Sequence, residues 1–156
     1  MEYERVALLD ADLYAVGDPS TLFQVPDCSI SVVASNDFGV PVYMDWGGSC
    51  SQSKSVFAKG LYLLKPSETI FQNLNEGARL HQDETKLIQS VYGKTATEIC
   101  TMPSEFNVDL AVKYCRRDVY EEENVIFAHF SKAKPWRMGD CEKWHIAEEC
   151  RAWVDL

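Results

Sequence analysis

The chain has 156 residues, 46% of them hydrophobic and 25% charged, which suits one globular domain able to bury a sizeable core. Its 24 acidic against 15 basic residues leave a net charge of −9, which argues against nucleic acid or an anionic membrane as the main partner. No apolar run approaches the length of a membrane span, and the charged start Met1-Glu-Tyr-Glu-Arg5 does not read as a signal peptide.

The first informative stretch is Arg5-Val-Ala-Leu-Leu-Asp-Ala-Asp-Leu-Tyr14, an apolar run that ends in Asp10 and Asp12. Val6 to Leu9 read as a strand buried on both faces, too short for a helix and followed at once by polar groups. A parallel strand that ejects two carboxylates at its C-terminal end places them where open α/β sheets bind ligands. Two residues apart in extended chain, they share a face and can converge on one hard cation. Asp-x-Asp also arises by chance in so acidic a chain, so its partners must decide.

Leu13 to Ala15 read as a short strand, Pro19-Ser-Thr-Leu-Phe23 as a single helical turn, and Ser29-Ile-Ser-Val-Val-Ala34 as a β-branched strand. Residues 35–54 are irregular, and a loop this long in a compact domain is usually functional or mobile. Tyr43, Met44 and Trp46 within it would cover a ligand or simply pack the loop. Val56-Phe-Ala-Lys-Gly-Leu-Tyr-Leu-Leu64 is the next strand, and Gly60 inside it marks close approach by a ligand or another backbone. Ser67 is a helix N-cap with Glu68 in the first turn, and Ile70, Phe71, Leu74 and Ala78 form one apolar stripe. Asp83 and Glu84 open a second helix with Leu87, Ile88 and Val91 inward and Gly93 as its stop.

Residues 95–101 are ambiguous, Met102-Pro-Ser-Glu-Phe-Asn107 reads as a loop, and Val108-Asp-Leu-Ala-Val112 as a helix. Glu121-Glu-Glu-Asn124 is a solvated charge run, and Val125-Ile-Phe-Ala128 is a strand that delivers His129. Ser131-Lys-Ala-Lys-Pro-Trp136 is a basic loop, and residues 141–154 read as one terminal helix with Trp144, Ile146, Ala147 and Trp153 at three-to-four spacing. The six cysteines contain no Cys-x-x-Cys pair, which argues against zinc, and no disulfide framework can be read from their spacing. They read mostly as small buried residues, and the compartment stays open.

Asp10, Asp12 and His129 each follow an apolar strand, so one sheet would bring them to the same rim. Two carboxylates and one imidazole make a reasonable site for Mn²⁺ or Mg²⁺, leaving positions for phosphate oxygens or water. Lys132 and Lys134 directly after His129 would supply point-charge donors for a diphosphate.

At this point the chain resembles family 8 of the glycosyltransferases, the glycogenin-like nucleotide-sugar transferases. Four segments carry the resemblance in the family's order. Tyr3-Glu-Arg-Val-Ala-Leu-Leu-Asp-Ala-Asp12 is similar to its strand and Asp-x-Asp motif, with Asp18-Pro-Ser-Thr-Leu-Phe23 as the usual continuation. Phe57-Ala-Lys-Gly-Leu-Tyr-Leu-Leu-Lys-Pro-Ser67 resembles its strand that begins Phe-Asn-Ser-Gly and ends in Pro-Ser. Gln82-Asp83-Glu84 resembles its Asp-Gln segment, and His129-Phe-Ser-Lys-Ala-Lys-Pro-Trp136 its His-Phe-x-Gly and Lys-Pro-Trp motif.

The resemblance implies an α/β chain: a partial nucleotide-diphospho-sugar transferase fold of the GT-A type, with a mixed sheet flanked by helices. It implies a retaining transferase that moves a hexosyl or pentosyl group from a UDP-sugar to a hydroxyl acceptor, a carbohydrate or another. Asp10, Asp12 and His129 would hold Mn²⁺ (or Mg²⁺), Lys134 would contact the diphosphate, and Asp83 would sit near the transferred sugar or acceptor. The family normally carries a nucleotide-binding half before its Asp-x-Asp strand. The expectation is therefore one family 8-like domain over residues 1–156 that is N-terminally incomplete, cytoplasmic or Golgi-luminal within a longer chain, and able to be an oligomer.

Ala58-Lys59 replace the family's Asn-Ser, and Lys132 stands where a glycine is usual. These departures support an alternative: a truncated or non-catalytic member that binds sugar or a partner without turnover. Asp-x-Asp phosphohydrolases fit less well, because they expect Thr or Val where Tyr14 stands and a later acidic pair at a strand end.

Overall fold

The computed structural model describes residues 3–34, 43–44, 50–51, 57–81, 83–92, 99–110, 125–131, 134–143 and 146–155. Its main sheet has four strands in the order β1 (Val6–Leu9), β6 (Phe57–Leu64), β3 (Ile30–Ala34), β7 (Ile99–Met102). The sheet is mixed: β6 runs antiparallel to both β1 and β3, and β3 runs parallel to β7. Strands β4 (Tyr43–Met44) and β5 (Cys50–Ser51) form a separate antiparallel pair. The rest of the irregular stretch, Trp46 included, lies outside the described residues.

The apolar run at Val6 does form a strand, but its setting corrects the expectation of a parallel strand buried on both faces. It pairs antiparallel with β6, Val6 opposite Leu64 and Leu9 opposite Leu61, and has no second sheet neighbour among the described residues. Val6, Leu8 and Leu9 are 40%, 53% and 44% exposed. An apolar run of four specifies extended chain, not how many of its sides are covered.

Alternation along the two central strands builds a core on each side of the sheet. Ile30 and Val32 of β3 and Tyr62 of β6 face the helices α1 (Glu68–Leu80) and α2 (Glu84–Tyr92), where Ile70, Leu74, Ile88 and Val91 close over them. Val33, Leu61 and Leu63 face the other way, onto Leu22, Met102, Phe106 and Phe127. Ser67 caps α1 by accepting a hydrogen bond from the Ile70 amide at 3.2 Å, as its position predicts. Phe71 does not belong to the buried stripe, because one residue is 100° of helix and it points into solvent beside Ile70, and Ala78 is exposed as well.

A second, three-stranded sheet has the order β2 (Leu13–Ala15), β9 (Phe127–His129), β8 (Val108–Asp109). The helix expected over residues 108–112 is therefore corrected to a strand at Val108–Asp109, parallel to β9. Val108, Asp109 and Leu110 are all buried, whereas a helix covered on one side buries only a stripe. The ambiguous stretch before Met102 also contains a strand, because β3 offers it a parallel partner.

The single C-terminal helix expected over residues 141–154 is instead two: α3 (Met138–Lys143) and α4 (Ala147–Val154). Cys141 and Cys150 are joined by a disulfide that ties the two together, and Cys28 is bonded to Cys100. The reading of these cysteines as simply small buried residues is thereby corrected. Cys28 and Cys100 lie 72 residues apart and meet because β3 and β7 run side by side, Ile30 opposite Ile99. Spacing along the chain carries no trace of that pairing. After β2, Pro19–Gln24 form a 3₁₀ turn capped by Asp18, and the Arg5 guanidinium donates to the carbonyls of Phe23 and Val25 at 3.0 Å each.

Tyr62 links the main sheet to α2. Burial pushes its phenol well above the usual range, reinforced by the hydrogen-bonded carboxylate of Glu84 and by Asp10 and Asp83. A raised phenol pKa leaves its contribution intact below the unfolded value and erodes it as pH rises beyond that. Urea unfolding should therefore show stability falling as pH rises above about 10, with a flatter profile for Tyr62→Phe.

Candidate metal centre

The three proposed ligands come from the junction of the two sheets. Asp10 follows β1, and its amide donates to the Gly60 carbonyl at 2.8 Å. The chain then turns, the Leu13 amide donating back to the Asp10 carbonyl at 3.1 Å, and enters β2. Asp10 and Asp12 thus converge through a turn and not through extended chain. On the far side, Leu13 lies opposite His129 in the β2–β9 ladder, and the Asp12 carbonyl accepts the Phe130 amide at 2.9 Å. The expectation that one sheet would supply a common rim is corrected accordingly. Asp10 ends the first sheet, while β2 and β9 of the second bring in Asp12 and His129.

Asp10, Asp12 and His129 each present a ligand atom, all within 4.8 Å of one another. Asp12 and His129 are buried and Asp10 is exposed, so the cluster opens to solvent on one side. His129 Nε2 lies 3.5 Å from Asp12 Oδ1. Lys134 reaches back to donate from Nζ to the other oxygen of Asp12 and to the Phe130 carbonyl at 3.1 Å. Burial disfavours the charged form of Asp12, but hydrogen bonds and charge, from His129 when its ring is protonated and from Lys134, outweigh it and hold the carboxyl well below the usual carboxylate range. Asp12 is therefore an anion at neutral pH in spite of its burial.

Gly60 accounts for how closely these groups pack. Its φ is +100°, a region L side chains avoid, and an added Cβ would lie 2.7 Å from His129 Cε1 and 3.3 Å from Asp10 Oδ2. The close approach expected at this glycine is real, and what approaches is two of the candidate ligands. The β3–β6 register shifts at the same place, between Val32 and Ala34.

Asp83, the remaining residue singled out from sequence, is not in this cluster. It directly precedes α2, where its Oδ1 accepts the Lys86 amide at 3.0 Å, and its Oδ2 accepts from Lys59 Nζ at 2.9 Å. Lys59 precedes Gly60, so this exposed ion pair stands beside the cluster without joining it. Ala58 of the same departure is buried in the core. Lys132 and Gln82 lie outside the described residues.

One residue at the site was not singled out. Asn107, read as part of a loop, is 0% exposed and stands against the ring of His129, its Oδ1 3.0 Å from Nδ1. Asp109 is also buried and accepts a hydrogen bond from Ser131. Neither carries a local pattern that marks it, since both act by meeting β9 across the fold.

Two carboxylates and an imidazole suit a hard or borderline divalent cation such as Mg²⁺ or Mn²⁺, and the open side of the cluster leaves room for oxygen ligands from a substrate. The neighbouring contacts favour such an ion too. His129 Nε2 and Asp12 Oδ1 face each other at 3.5 Å, so a cation at this spot would take a ligand atom from each.

No protein-family model and no curated protein sequence matches the chain. Among solved structures, the glycosyltransferase GlyE of Streptococcus pneumoniae TIGR4 is similar over 99% of this chain and 44% of its own length, at 18% identity and a TM-score of 0.60. The galactosyltransferase LgtC, solved with donor and acceptor sugar analogues, matches over 97% of this chain and 61% of its own, at 14% identity and 0.57. The bifunctional glycosyltransferase WbbM matches over 95% of this chain and 32% of its own, at 14% identity and 0.58. The chain thus spans less than two thirds of each of these proteins.

Gly60→Ala should cost about 1–3 kcal/mol of stability from backbone strain and displace His129. Chemical denaturation, with the His129 ring signals in an NMR spectrum, would check both effects. The fold is α/β with mixed sheets and helices, the GT-A fold of glycosyltransferases.

Proposed function

We propose that this chain is the metal-binding part of a retaining glycosyltransferase of the family 8 type, which moves a hexosyl or pentosyl group from a UDP-sugar to a hydroxyl acceptor. The observation that carries the reading is the convergence of Asp10, Asp12 and His129 within 4.8 Å, on a fold shared with glycosyltransferases. LgtC, solved with donor and acceptor sugar analogues, supports a nucleotide-sugar donor for this chain as well.

Asp10, Asp12 and His129 would hold Mn²⁺ or Mg²⁺. The ion supplies Lewis acidity, neutralising the charge that grows on a departing diphosphate. The protein's own part is electrostatic and positional. Lys134, already drawn to Asp12, would place its ammonium on the diphosphate and stabilise the leaving group. The buried side of the cluster keeps Asp12 and His129 from reorienting toward water. Asp83, beside the cluster on α2, would face the transferred sugar or the acceptor. In a chain of net charge −9, such local cations are what make an anionic donor acceptable.

On this reading residues 1–156 are one domain of a longer nucleotide-sugar-binding unit. β1, with Val6, Leu8 and Leu9 exposed, is the edge strand that the nucleoside-binding part would cover. A second reading, binding without turnover, draws support from the Lys59–Asp83 ion pair, which occupies the carboxylate assigned to the sugar. Lys59→Ser should raise transfer if Asp83 takes part in it and leave sugar binding unchanged if there is no turnover.

With the nucleoside-binding part supplied, calorimetry should show UDP binding that requires Mn²⁺ and disappears in Asp12→Ala. Equal UDP affinity with and without the metal would sink the transferase reading.

A further inference from the structure

We infer that Asn107 is a positioning residue for the metal centre: anchored on the Lys59 carbonyl, it fixes His129 in the tautomer that leaves Nε2 free to ligate. The inference rests on the metal-dependent reading above and deepens it.

The argument is one of donors and acceptors. Asn107 is fully buried, and its backbone is held by the 3₁₀ turn before it, its amide donating to the Ser104 carbonyl at 3.0 Å. Its side-chain Nδ2 donates to the Lys59 carbonyl at 2.7 Å. A backbone carbonyl can only accept, so the amide must turn its NH₂ group there. Oδ1 then faces His129 Nδ1 at 3.0 Å, and an amide oxygen also only accepts. The proton must therefore sit on Nδ1. In the neutral ring this leaves the lone pair on Nε2, the nitrogen that faces Asp12 at 3.5 Å.

The other tautomer would undo the site. An Nε2–H would donate to Asp12 and hold the ligand pair shut as an ordinary hydrogen bond, with no lone pair for a cation. The ring cannot escape by moving as a whole, because its backbone is fixed from both sides. Leu13 pairs with His129 from β2, and the Leu110 amide donates to its carbonyl at 3.0 Å. Asn107 is thus the group that decides whether His129 is a ligand or a donor. Its anchor is a main-chain carbonyl, so replacement of the family's serine by Lys59 leaves this contact in place.

The test uses the whole chain labelled with ¹⁵N-histidine, metal-free, at a pH where the rings are neutral. Long-range ¹H–¹⁵N spectra should show His129 protonated at Nδ1, its signals assigned by their loss in His129→Gln. Asn107→Leu should shift the ring toward Nε2–H and weaken Mn²⁺ binding, read by electron paramagnetic resonance, about 10–100-fold. Asn107→Asp keeps an acceptor for Nδ1–H while losing the donor to the Lys59 carbonyl, and should retain the tautomer and bind Mn²⁺ more tightly than Asn107→Leu.

An Nε2–H tautomer in the wild-type spectrum overturns the inference, as does equal loss of Mn²⁺ affinity in both variants, which would point to packing alone. Should Asn107→Leu fail to fold, the wild-type spectrum and Asn107→Asp still decide. A wild-type chain that shows the Nδ1–H tautomer and binds no Mn²⁺ refutes the transferase reading and spares the hydrogen-bond assignment. One that shows the Nε2–H tautomer when metal-free and still binds Mn²⁺ does the reverse.

Discussion

A buried carboxylate organises this fold. An ionised Asp12 in the interior costs several kcal/mol unless cationic or hydrogen-bonding groups attend it, and the chain brings its two neighbours from more than a hundred residues away. Lys134 donates to one oxygen and His129 faces the other. Both follow from the β2–β9 pairing, which sets Leu13 opposite His129 and lets the next turn carry Lys134 back. The segment that must end near Asp12 is thereby constrained in register as well as position, since a one-residue slip in β9 would point His129 away from the site.

The second constraint is space. The two sheets approach where β6 carries Gly60, and the absence of a Cβ lets the His129 ring and the Asp10 carboxylate lie against its backbone. The local register shift in the β3–β6 ladder falls at the same point, so regular pairing gives way where the candidate ligands need room. Behind the ring, Asn107 joins the β6 main chain to His129, which makes the second sheet and the first a single support for the cluster. Side chains held by packing and outer hydrogen bonds, on a strand or in the short turn between two strands, suit a site whose geometry must be ready before the ligand arrives.

Charge is distributed to the same end. The chain is strongly acidic overall, yet the described residues place Lys134 on Asp12 and Lys59 on Asp83, each cation beside a carboxylate near the cluster. The two pairs differ in weight. Lys59 and Asp83 are both about half-exposed, where an ion pair contributes little, whereas Asp12 is buried and depends on its partners. Lys134 can therefore exchange Asp12 for a diphosphate only if another cation takes over that carboxylate, which is the relation the proposed metal would satisfy.

Local chemistry was readable without the fold. The strand at Val6–Leu9, the acidic pair at its end, the cap at Ser67, the close approach at Gly60 and the strand that delivers His129 all follow from hydrophobic run, capping preference or glycine's missing side chain. So did the short list of groups fit to hold a divalent cation, since residue type alone limits it. What needed the tertiary structure was everything that depends on neighbours. Whether an apolar run is covered on two sides or exposed at an edge, whether Val108 starts a helix or pairs with β9, and which cysteines meet are all decided by segments distant in sequence. Asn107 belongs to that second group. An asparagine in a loop carries no mark of its partners, and only the crossing of β6 and β9 places a carbonyl on one end of its amide and an imidazole on the other.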